Sequence, residues 1–144
     1  MEKFIHTEIK IKTSKEEVWK LLMDFQNYPN WNPFIQFIEG TPRLGERLKI
    51  AIQTTPGKQM KFSPVVNSLI PYEEFSWKGK LFFNGLFDGH HRFELKELEN
   101  GEILLKHSEK FTGILVPVIN LKNTRKGFVK MNEMMKDILE QLNT

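Results

Sequence analysis

The chain has 144 residues, of which 40% are hydrophobic and 27% charged, with a net charge of +3 and no cysteine. This length and balance fit one globular domain over residues 1–144 with one sizeable core. The lack of cysteine excludes disulfides, thiol catalysis and cysteine-ligated zinc. The small, scattered positive excess gives no nucleic-acid footprint, and the apolar runs are too short for stable membrane insertion. Residues 1–8 intersperse charges without an apolar signal core, so a cytoplasmic location is expected.

The chain opens on a strand over about residues 2–12, with Ile5, Thr7, Ile9 and Ile11 on one face and His6, Glu8, Lys10 and Lys12 on the other. Ser14-Lys15-Glu16-Glu17 reads as a capping box. The helix after it carries Val18, Leu21, Leu22 and Phe25 at helical spacing and is expected to end near Asn27-Tyr28-Pro29. Pro29 to Pro33 forms a turn or a single helical turn. Short strands then follow. Phe34 to Glu39 is one. Arg47 to Thr54 is another, with Leu48, Ile50 and Ile52 on one face. Gln59 to Leu69 is a third, with Pro64 marking an edge or a bulge. Turns fall at residues 41–45, at Thr55-Pro56-Gly57 and at Pro71-Tyr72. Glu74 to Leu81 groups Phe75, Trp77, Gly79 and Leu81, and residues 86–98 and 102–111 complete the strands.

From about Thr124 to Leu142, Phe128, Met131, Met135, Ile138 and Leu142 recur at spacings of three and four, a helix with one apolar stripe that Met134 and Leu139 widen. Gly127 within it permits close packing. Consecutive strands with short turns imply an antiparallel sheet, and the long helix covers its apolar face. The fold class is α+β. A curved antiparallel sheet of about seven strands wraps on a long C-terminal helix, with short helices after the first strand.

Five segments carry a resemblance to a known family. They are Tyr28-Pro29-Asn30-Trp31-Asn32-Pro33-Phe34, Leu44-Gly45-Glu46-Arg47-Leu48, Gly85-Leu86-Phe87-Asp88-Gly89-His90-His91-Arg92-Phe93, Glu109-Lys110-Phe111-Thr112-Gly113-Ile114-Leu115-Val116-Pro117 and Gly127-Phe128-Val129-Lys130-Met131-Asn132-Glu133. With the element order, they make the chain resemble the helix-grip START and Bet v 1-like superfamily (SRPBCC), and within it the polyketide cyclase/dehydrase-like group of small bacterial proteins. The resemblance implies a partner that is a small apolar molecule, lipid-, polyketide- or aromatic-like, held between sheet and helix, and no cofactor. A related branch of the fold resembles the co-chaperone domain that stimulates the Hsp90 ATPase, so a protein-interaction role is a further alternative.

Period-two alternation groups Phe87, Gly89, His91, Phe93 and Leu95, and likewise Ile103, Leu105, His107, Glu109 and Phe111. A three-residue loop Glu99-Asn100-Gly101, with Gly101 left-handed, keeps both apolar stripes on one side. His91 then lies opposite Glu109, and Phe93 opposite His107. An ionisable group on a buried face requires a partner. His91 and Glu109 therefore either satisfy each other in a water-containing cavity or, with His107, orient the polar end of a ligand. The same pair is the candidate for acid–base chemistry of a cyclase or dehydratase. Adjacent His90 points to the opposite face and no HExxH spacing occurs, so no metal site is expected. Trp31, Phe62, Phe75, Trp77, Phe87 and Phe93, with Met131, Met134 and Met135, either line a pocket or form the core. Thr112 to Lys122 is unusually apolar for a connection. It reads as a mobile lid, a membrane-touching loop, an early helix start, or a segment packing Ile114, Val116 and Ile119 under the sheet.

Overall fold

Alternating apolar residues dominate the architecture. The computed structural model describes residues 2–55, 57–80 and 88–142. Its strands are β1 (Glu2–Ile11), β2 (Ile35–Glu39), β3 (Lys49–Thr55), β4 (Lys58–Phe62), β5 (Val65–Ile70), β6 (Glu74–Lys80), β7 (Asp88–Glu97) and β8 (Ile103–Thr112). Its helices are α1 (Lys15–Met23), the short α2 (Tyr28–Trp31) and the long α3 (Lys122–Gln141). Five antiparallel strands run in the order β1-β8-β7-β6-β5, and β2-β3-β4 form a second antiparallel group. The two groups meet where the residues leading into β3 pair with the start of β5. Leu48 N–H donates to the Pro64 carbonyl at 2.8 Å and Val66 N–H to the Glu46 carbonyl at 2.9 Å. The result is the helix-grip α+β fold expected from the sequence.

Helix α3 packs against β1, β3, β8 and α1. Phe128, Met131, Asn132, Met135 and Leu139 are its buried residues, spaced so that one stripe faces the sheet. Gly127 is buried on the same side, and a Cβ there would overlap the Phe34 ring. Its lack of a side chain therefore sets how closely α3 approaches Phe34. The register of β7 and β8 is the one the loop predicts. His91 pairs with Glu109, Phe93 with His107 and Leu95 with Leu105. Gly101 has φ of +87°, and Leu98 and Glu102 close the loop with a 2.8 Å hydrogen bond.

Several expectations need correction. The strand foreseen over Gln59–Leu69 is two strands, β4 and β5, broken at Ser63-Pro64. Pro64 has no N–H to extend a ladder, and its carbonyl is engaged by Leu48. The described residues thus contain eight strands rather than about seven. Helix α1 ends at Met23, not near Asn27, because Asp24 leaves helical geometry at ψ 70°. The Tyr28 hydroxyl then donates to the Leu22 carbonyl at 2.7 Å, replacing a partner that a continued helix would have supplied. Pro29 sits in the first turn of α2, where its missing N–H is harmless. Only the first half of the foreseen capping box is present, with Glu17 N–H donating to Ser14 Oγ at 3.2 Å. Met134 and Leu142, assigned to the apolar stripe of α3, are exposed. Pro56, Leu81, Gly85, Leu86 and Phe87 lie outside the described residues.

The Gly127 contact yields a test. Gly127→Ala gains helix propensity of up to ~1 kcal/mol, but it forces a methyl into the buried Phe34 ring, an overpacking that costs ~1–3 kcal/mol. A net loss of about 1 kcal/mol is expected, read as a lower urea midpoint at unchanged m-value.

Candidate functional site

The sheet aims a row of polar groups at α3. On β1, Thr7 shares the inward face with Ile5, Ile9 and Ile11. On β7 and β8, His91, His107 and Glu109 share theirs with Phe93, Leu105 and Phe111. Helix α3 adds Asn132 from inside its apolar stripe. The side chains of His91, His107 and Asn132 are buried, and that of Glu109 is 13% exposed.

These residues form one hydrogen-bonded chain whose direction follows from a single acceptor. The His107 backbone carbonyl accepts from the Thr7 hydroxyl at 2.6 Å. Thr7 Oγ1, its proton so used, accepts from Asn132 Nδ2 at 2.9 Å. Asn132 Oδ1 therefore faces His107 Nδ1, at 2.9 Å, and takes its N–H. Neutral His107 then offers a lone pair at Nε2, and His91 Nε2, 2.7 Å away, must donate to it. Neutral His91 is left with a lone pair at Nδ1, which faces Glu109 Oε1 at 3.0 Å. One proton lies in that last contact, and burial decides its owner. Burial pushes the Glu109 carboxyl up to about 8. Burial, with the neighbouring His90 adding a smaller effect, pushes the His91 imidazole down to about 3. His107 is lowered well below its ordinary value by burial and then by His91, against the opposing hydrogen bond from Asn132. The chain is thus a run of neutral groups ending in a protonated Glu109.

Aromatic rings desolvate the imidazoles. His107 stacks on Phe128 at 4.1 Å and 8°, with Phe93 at 4.4 Å and 28°. His91 stacks on Trp77 at 4.5 Å and 16°. Gly89 clears the space for the carboxyl, since a Cβ there would overlap Glu109 Oε2. Glu109 Oε2 has no hydrogen-bond partner among the described residues.

A cavity of about 170 Å³ opens at this end of the chain of bonds. The strands contribute Ile52, Met60, Phe62, Trp77 and Phe111 beside His91 and Glu109. The approach to α3 contributes Ile119, Asn120 and Leu121, α3 itself contributes Thr124, and Thr54 of β3 adds a further polar residue. Within the apolar connection, Val116 is buried and Ile119 and Leu121 are half-buried, whereas Ile114 and Val118 are exposed at 72% and 80%.

Of the residues the sequence singled out, the structure brings His91, Glu109, Trp77 and Phe62 to this cavity. His107 and Phe93 sit one layer behind, against each other. Phe75 lies farther along a row of rings between Phe25 and Phe93. Met131 and Met135 are core residues of α3, fully buried. Trp31 packs edge-on to Tyr28 at 5.5 Å, away from the cavity residues. Phe87 lies outside the described residues. His90 is on the other face, near Asn67. Asn132 and Thr7 complete the polar chain and were not singled out, although each is a polar residue inside an apolar stripe. Among the described residues, no three His, Asp or Glu side chains are grouped to hold a metal ion.

Residues 4–143 match the family described as polyketide cyclase / dehydrase and lipid transport. The chain belongs to this family. Among solved structures it is similar to a START superfamily protein from Mycobacterium smegmatis, at 18% identity, with a TM-score of 0.74 over 96% of this chain and 98% of that one. It is also similar to an aromatase/cyclase from a Streptomyces species, at 11% identity, with a TM-score of 0.76 over 100% and 97%. A third is a major latex-like protein from Panax ginseng, at 13% identity, with a TM-score of 0.77 over 96% and 97%. At these identities the likeness is one of fold. No curated protein matches the chain significantly. The family and fold bear out the START/Bet v 1-like resemblance, and no helix among the described residues is long and apolar enough to cross a membrane.

The proton balance of the site predicts a pH profile. Between the unfolded values of 4.5 for Glu109 and 6.5 for the histidines, the unfolded chain carries two imidazole protons that the native site lacks. The native site carries one carboxyl proton that the unfolded chain lacks. The net is one proton in favour of unfolding, so the site's contribution falls by about 1.4 kcal/mol per unit as pH drops. Above 6.5 only Glu109 differs between the states, and stability falls at a similar slope as pH rises toward 8. The trio is therefore most stabilising near pH 6.5. Glu109→Gln supplies an amide N–H to His91 and does not titrate. It is expected to be more stable than the wild type at pH 7 by on the order of 2 kcal/mol, with the difference vanishing toward pH 4.5. Urea unfolding at several pH values checks both statements.

Proposed function

We propose that the protein binds a small, mainly apolar molecule in the cavity faced by Glu109 and His91. The observation that carries this reading is a mainly apolar space lined by Glu109, whose carboxyl oxygen Oε2 has no partner among the described residues. The family's description, which includes lipid transport, and the shared helix-grip fold support it. Burial of ligand surface would supply most of the affinity, at ~25 cal/mol per Å² before association costs. The cavity is smaller than the ~300–1,000 Å³ of sites for larger ligands. In this conformation it admits a molecule of about one ring, and an extended lipid or polyketide requires the connection at residues 113–121 to move outward.

The same contact supports a second reading, acid–base catalysis of the cyclase or dehydrase kind that the family's description names. A carboxyl raised to about 8 keeps its proton at neutral pH and is suited to act as a general acid. Any turnover of this kind is expected to fall as pH rises through 8 and to be lost in Glu109→Gln, as a pH–rate profile would read.

Toluene tests the binding reading. It is expected to raise the melting temperature of the wild type by mass action. In Thr124→Phe, which places a ring in the cavity, the rise is expected to disappear. Stabilisation of the wild type by neither toluene nor p-cresol would overturn the reading.

A further inference from the structure

We infer that the cavity selects a neutral, one-ring-sized molecule carrying a hydrogen-bond donor, an O–H or N–H, which is received by Glu109 Oε2, and that it rejects carboxylates and other anions. The inference rests on the binding reading above and deepens it.

The bond directions fix what Oε2 can do. The sequence of donors that begins at the His107 carbonyl leaves Glu109 Oε1 and its single shared proton committed to His91 Nδ1. In the resting site that proton cannot turn toward the cavity without leaving the His91 Nδ1 lone pair short of a donor. Oε2 is thus an acceptor whether the shared proton rests on Glu109 or on His91. A ligand group placed there must donate. An ether, a halide or a ketone oxygen would set lone pair against lone pair. A carboxylate or phosphate would bring an unpaired charge into a space that no Lys or Arg lines among the described residues. A ligand that covers Oε2 without pairing it leaves a polar group newly buried and unsatisfied, which is costly, so such a site discriminates against ligands lacking the matching group.

Volume sets the second limit. A cavity of about 150 Å³ holds a benzene ring, and this one is about 170 Å³. Its walls on the sheet side are apolar or aromatic apart from Thr54 of β3, and include Trp77 and Phe111. Together the size, the mainly apolar walls and the partnerless carboxyl oxygen describe a substituted phenol, a ring alcohol or an aniline-like amine in neutral form. They do not describe a fatty acid.

The test compares p-cresol with 4-fluorotoluene, similar in size but without a donor, by calorimetric titration of the wild type, Glu109→Met and Glu109→Gln. The ratio of the two affinities removes their common apolar contribution. It is expected to drop about tenfold in Glu109→Met, the worth of a buried hydrogen bond, and to stay unchanged in Glu109→Gln, whose carbonyl replaces Oε2. An unchanged ratio in Glu109→Met overturns the inference while tight 4-fluorotoluene binding leaves the binding reading standing. Should Glu109→Met not fold, 4-methylbenzoate on the wild type decides. Its failure to compete with p-cresol supports the inference, and affinity equal to or above that of p-cresol overturns it. If none of the probes binds the wild type, both the inference and the reading beneath it fall.

Discussion

A backbone carbonyl sets the chemistry of the site. The His107 carbonyl has no proton to give, so Thr7 must donate to it, and every later bond inherits that direction. Each link in the series (Thr7, Asn132, His107, His91) carries one donor and one acceptor into it, and none can be reversed alone. The direction ends at Glu109, 13% exposed at the edge of a cavity. Two imidazoles and a carboxyl thereby share the core without a net charge, which avoids the large penalty of burying an ion.

The fold serves this chain of bonds at several levels. The three-residue loop between β7 and β8 places His91 across from Glu109 instead of across from a neighbour on the wrong face. Phe93, Phe128 and Trp77 form plates against the imidazoles and exclude water from them. Gly89 leaves room for the carboxyl, and Gly127 lets α3 come close enough to Phe34 for that side of the interior to close. Helix α3 therefore has two tasks. Met131 and Met135 fill the core, and its single buried asparagine joins the sheet's polar row.

Much of this was legible in the sequence. Strand alternation gave the inward placement of His91, Phe93, His107 and Glu109, and Glu99-Asn100-Gly101 gave the register, because a one-residue shift would turn an apolar stripe to solvent. The break at Pro64 was less legible, since a proline also fits an edge or a bulge in one strand. The division between cavity wall and core was not legible either. Phe75, Met131 and Met135 have the same composition as a pocket lining, and only the distance between α3 and the sheet decides that they fill space. Asn132 was hidden by its position beside Met131, where an alternative helical face is only one residue away. Thr7 was placed on the inward face, but a β-branched threonine there reads as strand-former before it reads as a link in a polar chain.

The fixed direction of the bonds has one more consequence, for transport of charge. A proton relay works by passing a proton in at one end and out at the other, with every bond reversing in turn. Here the far end is an amide carbonyl on β8, and the middle contains the amide of Asn132, neither of which hands on a proton readily. Charge entering from the cavity can move through His91 as far as His107, where the Asn132 amide stops it. The row of histidines crossing the interior looks like a wire, but it behaves as a terminus that holds one proton beside the cavity.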